Sequence, residues 1–240
     1  MAPSVPFFLK FKRRTEGEER FMKQLLLALS LFFISLPVAA ASAEEYKIES
    51  LGALTEASVA EGVRKSLDEK GVRVVDAKGK AVCEIWFRKL IPTTKDEVQG
   101  ANFAQIGEGA FAGVIHFPTA TSDYRGQGVK AGYYTLRYAL ILQDGAHLGV
   151  SPARDFLLLC PVTEDKDPAV QAKPEDLLKW SRAASGTGHP SPWYIGLPES
   201  DKGLPKIAKN EHEHVILEFQ LTTSAGPLAI GLVVVGKTEG

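Results

Sequence analysis

The sequence predicts a mainly β protein, an antiparallel β-sandwich of the jelly-roll or immunoglobulin-like kind with two peripheral α-helices. Three observations lead to this prediction. Seven or eight short segments have the alternating or continuous apolar pattern of strands, turn-forming residues separate consecutive strands, and the two helical patterns do not alternate with strands. The last observation makes a doubly wound α/β fold the weaker alternative.

The clearest strand pattern covers residues 133–142. Tyr134, Leu136 and Tyr138 point to one face, whereas Thr135 and Arg137 point to the other, as in a half-buried strand. The other predicted strands are residues 46–51, 72–76, 81–89, 111–117, 156–160, 214–221 and 228–235. The continuous apolar run of residues 156–160 predicts a strand covered on both faces. The last two segments flank a short turn, which predicts antiparallel pairing.

Two segments have helical patterns. Residues 56–70 repeat apolar side chains at helical spacing, Ser58 and Glu61 have the spacing of a capping box, and Gly71 stands where a helix ends. A second helix is predicted to begin at Pro174 and to end at Gly186. Residues 91–109 and 187–206 are rich in turn formers and are predicted to be loops.

The N-terminal region predicts export. Residues 22–43 combine a positive Lys23, an apolar run and a final Ala-Ser-Ala, which together are typical of a cleaved signal peptide, here with a helical apolar run. We expect cleavage after Ala43, a periplasmic or secreted mature protein, and one sandwich domain over residues 44–240. Residues 1–21 carry mixed charge and are interpreted as an upstream extension, with translation starting at Met22.

Two alternatives to this reading of the N-terminus stay open. Arg13 and Arg14 are a twin-arginine pair, although acidic residues follow them. Residues 25–43 are also nearly as long as the roughly 20 residues that span a bilayer, so an uncleaved anchor is the other alternative.

Charge and cysteine content limit the function further. Residues 44–240 hold 22 basic and 26 acidic residues without basic clusters, which argues against nucleic acid or anionic lipid as a partner. We expect no membrane span in the mature chain. Cys83 and Cys160, the two cysteines of the chain, form either a disulfide in an oxidising compartment or two buried thiols.

The segment after the 133–142 strand contains the first candidate site. His147, Arg154 and Asp155 lie within a few residues of one another and predict either a ligand-binding loop, a hydrolytic site, or a turn that is merely solvated. The chain has no Gly-x-Ser-x-Gly nucleophile motif. Tyr124 and Arg125, in a polar glycine-rich segment, are further candidate ligand contacts.

Two further clusters are candidates. Trp193 and Tyr194 follow a proline-rich stretch and predict either an aromatic stacking platform or a plug at the sandwich edge. His212 and His214 alternate on a predicted strand and are weak candidates for a metal site, since no third ligand is identifiable. We assign no cofactor.

Three blocks of the chain resemble a known group of proteins. They are Tyr124-Arg125-Gly126-Gln127, residues 130–138, and residues 144–150 continuing through 154–159. They resemble uncharacterised exported proteins of the acidobacterial type, and residues 100–102 and 131–136 are loosely similar to a family of periplasmic β-sandwiches of unknown function. The resemblance implies fold and compartment, and it implies no activity.

These patterns together predict a non-catalytic exported protein that binds a small molecule, a glycan or a cell-envelope partner. The alternatives are a periplasmic hydrolase that uses the 144–155 loop and a structural protein of the envelope.

Overall fold

The computed structural model describes residues 46–142 and 151–238, which fold into a mainly β, antiparallel structure. The strands of these residues are β1 (Lys47–Leu51), β2 (Gly71–Val75), β3 (Ala81–Phe87), β4 (Phe111–Phe117), β5 (Thr121–Ser122), β6 (Gly128–Val129), β7 (Gly132–Leu140), β8 (Asp155–Pro161), β9 (Pro192–Gly196), β10 (Lys206–Lys209), β11 (Val215–Thr223) and β12 (Gly226–Val235). The helices are α1 (Glu61–Ser66), α2 (Pro174–Ser185) and a 3₁₀ turn at Ala104–Ile106.

One ten-stranded sheet forms the body of the fold. Its order is β1-β2-β3-β4-β7-β8-β9-β12-β11-β10, with β5 and β6 paired separately. The edge strands β1 and β10 approach each other, so the sheet is nearly closed on itself. Most neighbours in the sheet are also neighbours in the chain, as the turn residues between predicted strands indicated.

The core lies on both faces of this sheet. The largest cluster draws side chains from one face of nearly every strand and includes Leu136, Tyr138, Leu157 and Leu159. A second cluster lies between the sheet and α1, around Trp86, and a third lies beneath α2 and contains Leu158 and Cys160. The strand β8 is therefore covered on both faces, which confirms the prediction from its continuous apolar run.

Several elements begin and end as the sequence predicts. The strand β4 covers the predicted residues 111–117, and β11 and β12 pair antiparallel. Helix α2 begins at Pro174, and the backbone of Gly186 after it is left-handed, with a φ of 66°. Glycine adopts this conformation without the steric cost that a Cβ imposes, and this is why the helix ends there.

The first helix is much shorter than the predicted residues 56–70. Ser58 does not act as its N-cap, because Ala60 occupies that position without a side-chain cap and the Ser58 amide instead donates to Glu56 Oε1 at 2.9 Å. At the other end, Leu67 turns to an extended conformation and bridges to Arg88. Pairing with the sheet has therefore replaced the helical turns predicted after Ser66.

Residues 187–206 are not the uninterrupted loop predicted from their prolines and glycines. The strand β9 lies within them and pairs with both β8 and β12, and β10 begins at Lys206. Pro192 stands at the first position of β9, where proline is tolerated. The pairing partners of β9 are distant in the sequence, so a local pattern does not predict it.

The two cysteines are free and buried, as in the second of the two alternatives, a pair of buried thiols. Cys83 lies on β3 and Cys160 on β8, and β4 and β7 separate these strands. The two side chains also belong to different core clusters, on opposite faces of the sheet. A disulfide requires Cα atoms within about 7 Å of each other, a distance that two intervening strands exceed.

Among the residues that the structure describes, no helix has the length and apolar character needed to cross a membrane. The predicted signal peptide, residues 22–43, lies outside the described residues.

Candidate functional site

Asp155 of the predicted loop site is a buried structural anchor. Its side chain accepts hydrogen bonds from the amides of Asn102 and Phe103 at 2.7 and 3.0 Å and from the Tyr138 hydroxyl at 2.6 Å, and the residue has no exposed surface. Burial and this carboxylate raise the pKa of Tyr138. The observed contacts of Asp155 are thus structural, and its part in ligand binding or in a hydrolytic pair stays a prediction. His147 lies outside the described residues, and its role stays a prediction.

Arg154 holds two segments of backbone together. Its Nε donates to the carbonyl of Ile141 at 3.0 Å, and its amide donates to the carbonyl of Gly100 at the same distance. The guanidinium also reaches the carbonyl of Gln99. These contacts fasten residues 99–100 to the end of the sheet, and Arg154 as a ligand contact stays a prediction.

Trp193 lies in the core of the sheet. Only 3% of its surface is exposed, and its ring stacks on Phe117 inside the core with centroids 5.0 Å apart. This position agrees with the alternative interpretation of a plug, and ligand stacking by Trp193 stays a prediction.

Tyr194 and Tyr124 pack against each other next to the core. Their ring centroids are 5.4 Å apart, and both rings contact Phe156. Burial raises the pKa of both tyrosines. Arg125 is exposed, and its amide donates to Asp123 Oδ1 at 3.0 Å within a turn. Ligand binding by Tyr124, Arg125 and Tyr194 stays a prediction.

His214 is not available as a metal ligand. Its Nε2 donates to the carbonyl of Lys237 at 3.0 Å, and its Nδ1 accepts from the amide of Asn210 at 3.2 Å. Both ring nitrogens of His214 therefore already have hydrogen-bond partners within the protein. The exposed His212 ring lies 5.7 Å from that of His214. Within residues 46–142 and 151–238, no three His, Cys, Asp or Glu side chains group as metal ligands.

The structure contains a cleft that sequence reasoning did not identify. It has a volume of about 420 Å³ and lies where the segment between β1 and α1 passes over β2 and β3. Its walls are residues 51–57 of this segment together with Arg73, Glu84, Trp86 and Tyr133 from the sheet.

Trp86 anchors the segment that covers the cleft. Its indole Nε1 donates to the carbonyl of Gly52 at 2.8 Å, and its ring packs in the core cluster beneath α1. Gly71 makes room for this ring, because a Cβ at that position would lie 2.4 Å from Trp86 Nε1. The covering segment is therefore fixed to the sheet at a definite place.

A row of polar side chains crosses the sheet at the cleft. We call the residues Glu49, Arg73, Glu84, His116 and Tyr133 the cross-strand row. Each residue stands directly opposite the next one on the neighbouring strand, from β1 through β2, β3 and β4 to β7. Directly opposed residues of antiparallel strands have their Cβ atoms about 5 Å apart, so their side chains meet.

Glu84 is the centre of the cross-strand row. Arg73 donates to Glu84 Oε1 through Nε at 2.8 Å and through Nη2 at 2.6 Å, and His116 Nδ1 donates to Glu84 Oε2 at 2.8 Å. Burial by itself would raise the pKa of the Glu84 carboxyl, yet the hydrogen bonds from His116 and Arg73 hold this pKa below its ordinary value of 4.5. The carboxylate thus stays ionised and fixed between its two donors.

Tyr133 ends the row at the cleft wall. Its ring stacks on the His116 imidazole with centroids 4.1 Å apart and planes 10° from parallel. Burial, together with the negative charges of Glu56 and Glu84, raises the pKa of the Tyr133 hydroxyl. This hydroxyl therefore remains protonated at neutral pH and can donate a hydrogen bond.

A second charged cluster is enclosed under α2. Arg137 is fully buried, and its Nε and Nη2 each donate to an oxygen of Asp165 at 2.7 Å. The guanidinium also donates to the main-chain carbonyls of Gly109, Asp167 and Val170. Protein carboxylate and carbonyl oxygens accept the hydrogen bonds of the Arg137 guanidinium, and the side chain has no exposed surface. The cluster therefore has a structural role and leaves no room for a ligand.

The sequence contained one signal for the cleft. Glu84 and Trp86 share a face of the predicted 81–89 strand, and a charged residue on a strand face that also carries tryptophan indicates a partly covered surface. The sequence does not show the register in which β2, β3, β4 and β7 pair. Without this register, Arg73, His116 and Tyr133 are not recognisable as neighbours.

No family model, curated protein or solved structure matches the chain, so similarity assigns no function to the cleft.

Proposed function

We propose that this protein binds a small polar molecule in the cleft beside the cross-strand row and performs no catalysis on it. The observation that carries the proposal is the combination of an open cleft with charged groups that are already held in place. Binding is tighter when the polar groups of a site need no ordering, because less side-chain entropy is lost.

The dimensions of the cleft support this proposal. Its 420 Å³ lie near the lower end of the roughly 300–1,000 Å³ typical of ligand sites. Leu51, Leu54 and Trp86 contribute apolar surface to the walls, while Arg73 and Glu84 contribute polar groups. More of the cleft surface is polar than apolar, which suits a small polar ligand better than an apolar one.

We propose further that the protein acts outside the cytoplasm, as the signal-peptide pattern and the resemblance to exported proteins suggest. We propose that the nearly closed sheet is a two-layered sandwich. Its cleft would then be accessible to small molecules of the periplasm or the medium. The N-terminal sequence of the protein purified from a bacterial host tests the compartment, with Glu44 as the expected first residue.

Filling the cleft tests the binding proposal. Ala57 lines the cleft and is exposed, so Ala57→Trp places an indole there without changing the core. Ala225 is exposed in the turn between β11 and β12, and Ala225→Trp is the matched control. The probe is a defined mixture of hexoses, uronates, amino acids and dicarboxylates, measured by saturation-transfer NMR with the full chain.

We expect at least one compound to bind the wild type and Ala225→Trp and to lose its signal with Ala57→Trp. Binding that persists in Ala57→Trp would place the ligand elsewhere and overturn the proposal. Absence of binding to every compound would overturn it as well.

A further inference from the structure

The charges around the cleft identify the class of ligand that it accepts. Glu56 and Glu84 line the cleft, and Glu49 lies at the end of the cross-strand row. Two guanidinium groups oppose these three carboxylates. Arg73 pairs with Glu84 and reaches Glu49 at 3.4 Å, and Arg64 donates to the main-chain carbonyl of Glu56 at 2.9 Å. The carboxylates named here therefore outnumber the guanidinium groups by one, and His116 is the further titratable group of the row, 2.8 Å from Glu84.

Glu56 is the lining carboxylate with most capacity to bind a ligand. Its Oε1 accepts the Ser58 amide, and this hydrogen bond, followed by one from the Ser58 side chain, is the main reason that the pKa of Glu56 is lowered. Both donors belong to a single exposed residue of the same segment. Glu84, by contrast, has both oxygens engaged, by Arg73 and by His116. An ionised carboxylate is an acceptor on both oxygens, so Glu56 is suited to hydroxyl donors and unfavourable to anions.

The other lining groups complete this pattern. Thr55 and Tyr133 bring hydroxyls to the cleft, and Leu51, Leu54 and the Tyr133 ring bring apolar surface. A ligand that satisfies all of them needs several hydroxyls together with C–H surface that packs on aromatic and aliphatic groups.

We propose that the cleft binds an uncharged sugar, one or two rings in size, through hydroxyls donated to Glu56. This inference rests on the proposed binding function and deepens it. A sugar ring offers hydroxyls around its rim and C–H groups on its faces, which matches the two kinds of surface in the cleft. Uronates and other anionic sugars meet the excess negative charge, so the cleft discriminates against them.

Matched pairs of sugars test this proposal. Glucose, galactose and mannose are each compared with the corresponding uronate, which replaces one CH₂OH by a carboxylate. Dissociation constants are measured by calorimetry with the full chain at one fixed pH for every sugar and variant. We expect at least one neutral sugar to bind and its uronate to bind more weakly by on the order of five-fold or more, the effect of one exposed like-charge pair.

The variant Glu56→Gln connects the discrimination to one residue. Removing its charge should bring the affinities of the neutral sugar and its uronate to within about two-fold of each other, since the repulsion is then absent. Glu97→Gln removes an exposed charge of the same kind from residues 91–109 and serves as the control, which should leave the ratio unchanged.

The possible outcomes separate this proposal from the one on which it rests. A uronate that binds as tightly as its neutral sugar overturns the sugar proposal, as does an unchanged ratio in Glu56→Gln. If no sugar binds while an amino acid or dicarboxylate binds and is lost in Ala57→Trp, the sugar class is wrong and the binding function holds. If no compound binds in the cleft, both proposals are wrong.

Discussion

Two arginine–carboxylate clusters lie on this sheet, and they differ in what surrounds them. Arg137 and Asp165 are enclosed beneath α2, with 0% and 2% of their side chains exposed, and main-chain carbonyls take further guanidinium donors. Arg73 and Glu84 lie at the edge of a cleft, and 37% of the Arg73 side chain is exposed. An arginine–carboxylate pair thus stands in a closed environment in one place and in an open one in the other.

The comparison shows how an enclosed charge pair differs from one at an open cleft. In a buried pair, each charged group is stabilised mainly by its partner, because water cannot reach it. Removing one member therefore leaves an unpaired charge in a medium that solvates it poorly. A pair at a cleft retains access to water or ligand, so the loss of one member costs less stability and changes binding instead. Substitutions in the two clusters should therefore separate stability from ligand affinity.

The largest effect is expected for Asp165→Asn. The substitution leaves Arg137 buried with its charge uncompensated, and we expect the free energy of unfolding to fall by about 3–5 kcal/mol, as for other broken buried pairs. Urea unfolding followed by circular dichroism measures this change. Asp167→Asn is the control, because that side chain is exposed and its Oδ1 accepts only the Ala169 amide among the described contacts. Equal losses in both variants would contradict the structural role of the pair.

A smaller effect is expected for Glu84→Gln, which removes the central charge of the cross-strand row. The two donors then face a neutral amide, and we expect a loss of about 1–2 kcal/mol at pH 7, in the range of a hydrogen bond to a charged group. The folded-state pKa of Glu84 lies below its ordinary value, so its contribution is fully present above about pH 4.5 and is lost as the pH falls through the folded-state value.

Unfolding of both proteins at several pH values tests this sign. The wild type should be more stable than Glu84→Gln at pH 7, and the difference should shrink below pH 4.5. A difference that grows on acidification would mean that the pKa of Glu84 is raised by burial rather than lowered by its donors.

The smallest change in stability is expected for His116→Phe. Phenylalanine keeps an aromatic ring stacked on Tyr133 but removes the hydrogen bond to Glu84, so we expect a loss of about 0.5–1 kcal/mol. Affinity for a ligand found with the probe mixture should fall more than stability does, because Glu84 and Tyr133 lose their alignment at the cleft wall. Unchanged affinity would show that His116 does not position these groups.

Local patterns in the sequence predicted much of this fold. Alternation along residues 133–142 and the proline and glycine at the ends of α2 act within a few residues, so they are readable without knowledge of the partners. The strand β9 depends on β8 and β12 instead, and the early end of α1 depends on the bridge from Leu67 to Arg88. These features follow from pairings that the local sequence does not contain.

The candidate site was even harder to predict from local sequence patterns than the fold. Residues grouped by proximity in the sequence, such as Arg154 and Asp155, hold backbone segments at the end of the sheet in the structure. The cross-strand row consists of single residues from five strands, and Glu49 and Tyr133 at its ends are 84 positions apart. The register of the whole sheet is needed to recognise it.

The reactivity of the two cysteines can be used to measure local unfolding of the sheet. Burial raises the pKa of the Cys83 thiol to about 12 and raises that of Cys160 as well, so neither thiolate is available in the folded state. Reaction with a thiol reagent requires the surrounding strands to separate first. Because Cys83 and Cys160 lie on opposite faces of the sheet, the rates at which they are modified record the breathing motions of the two faces independently.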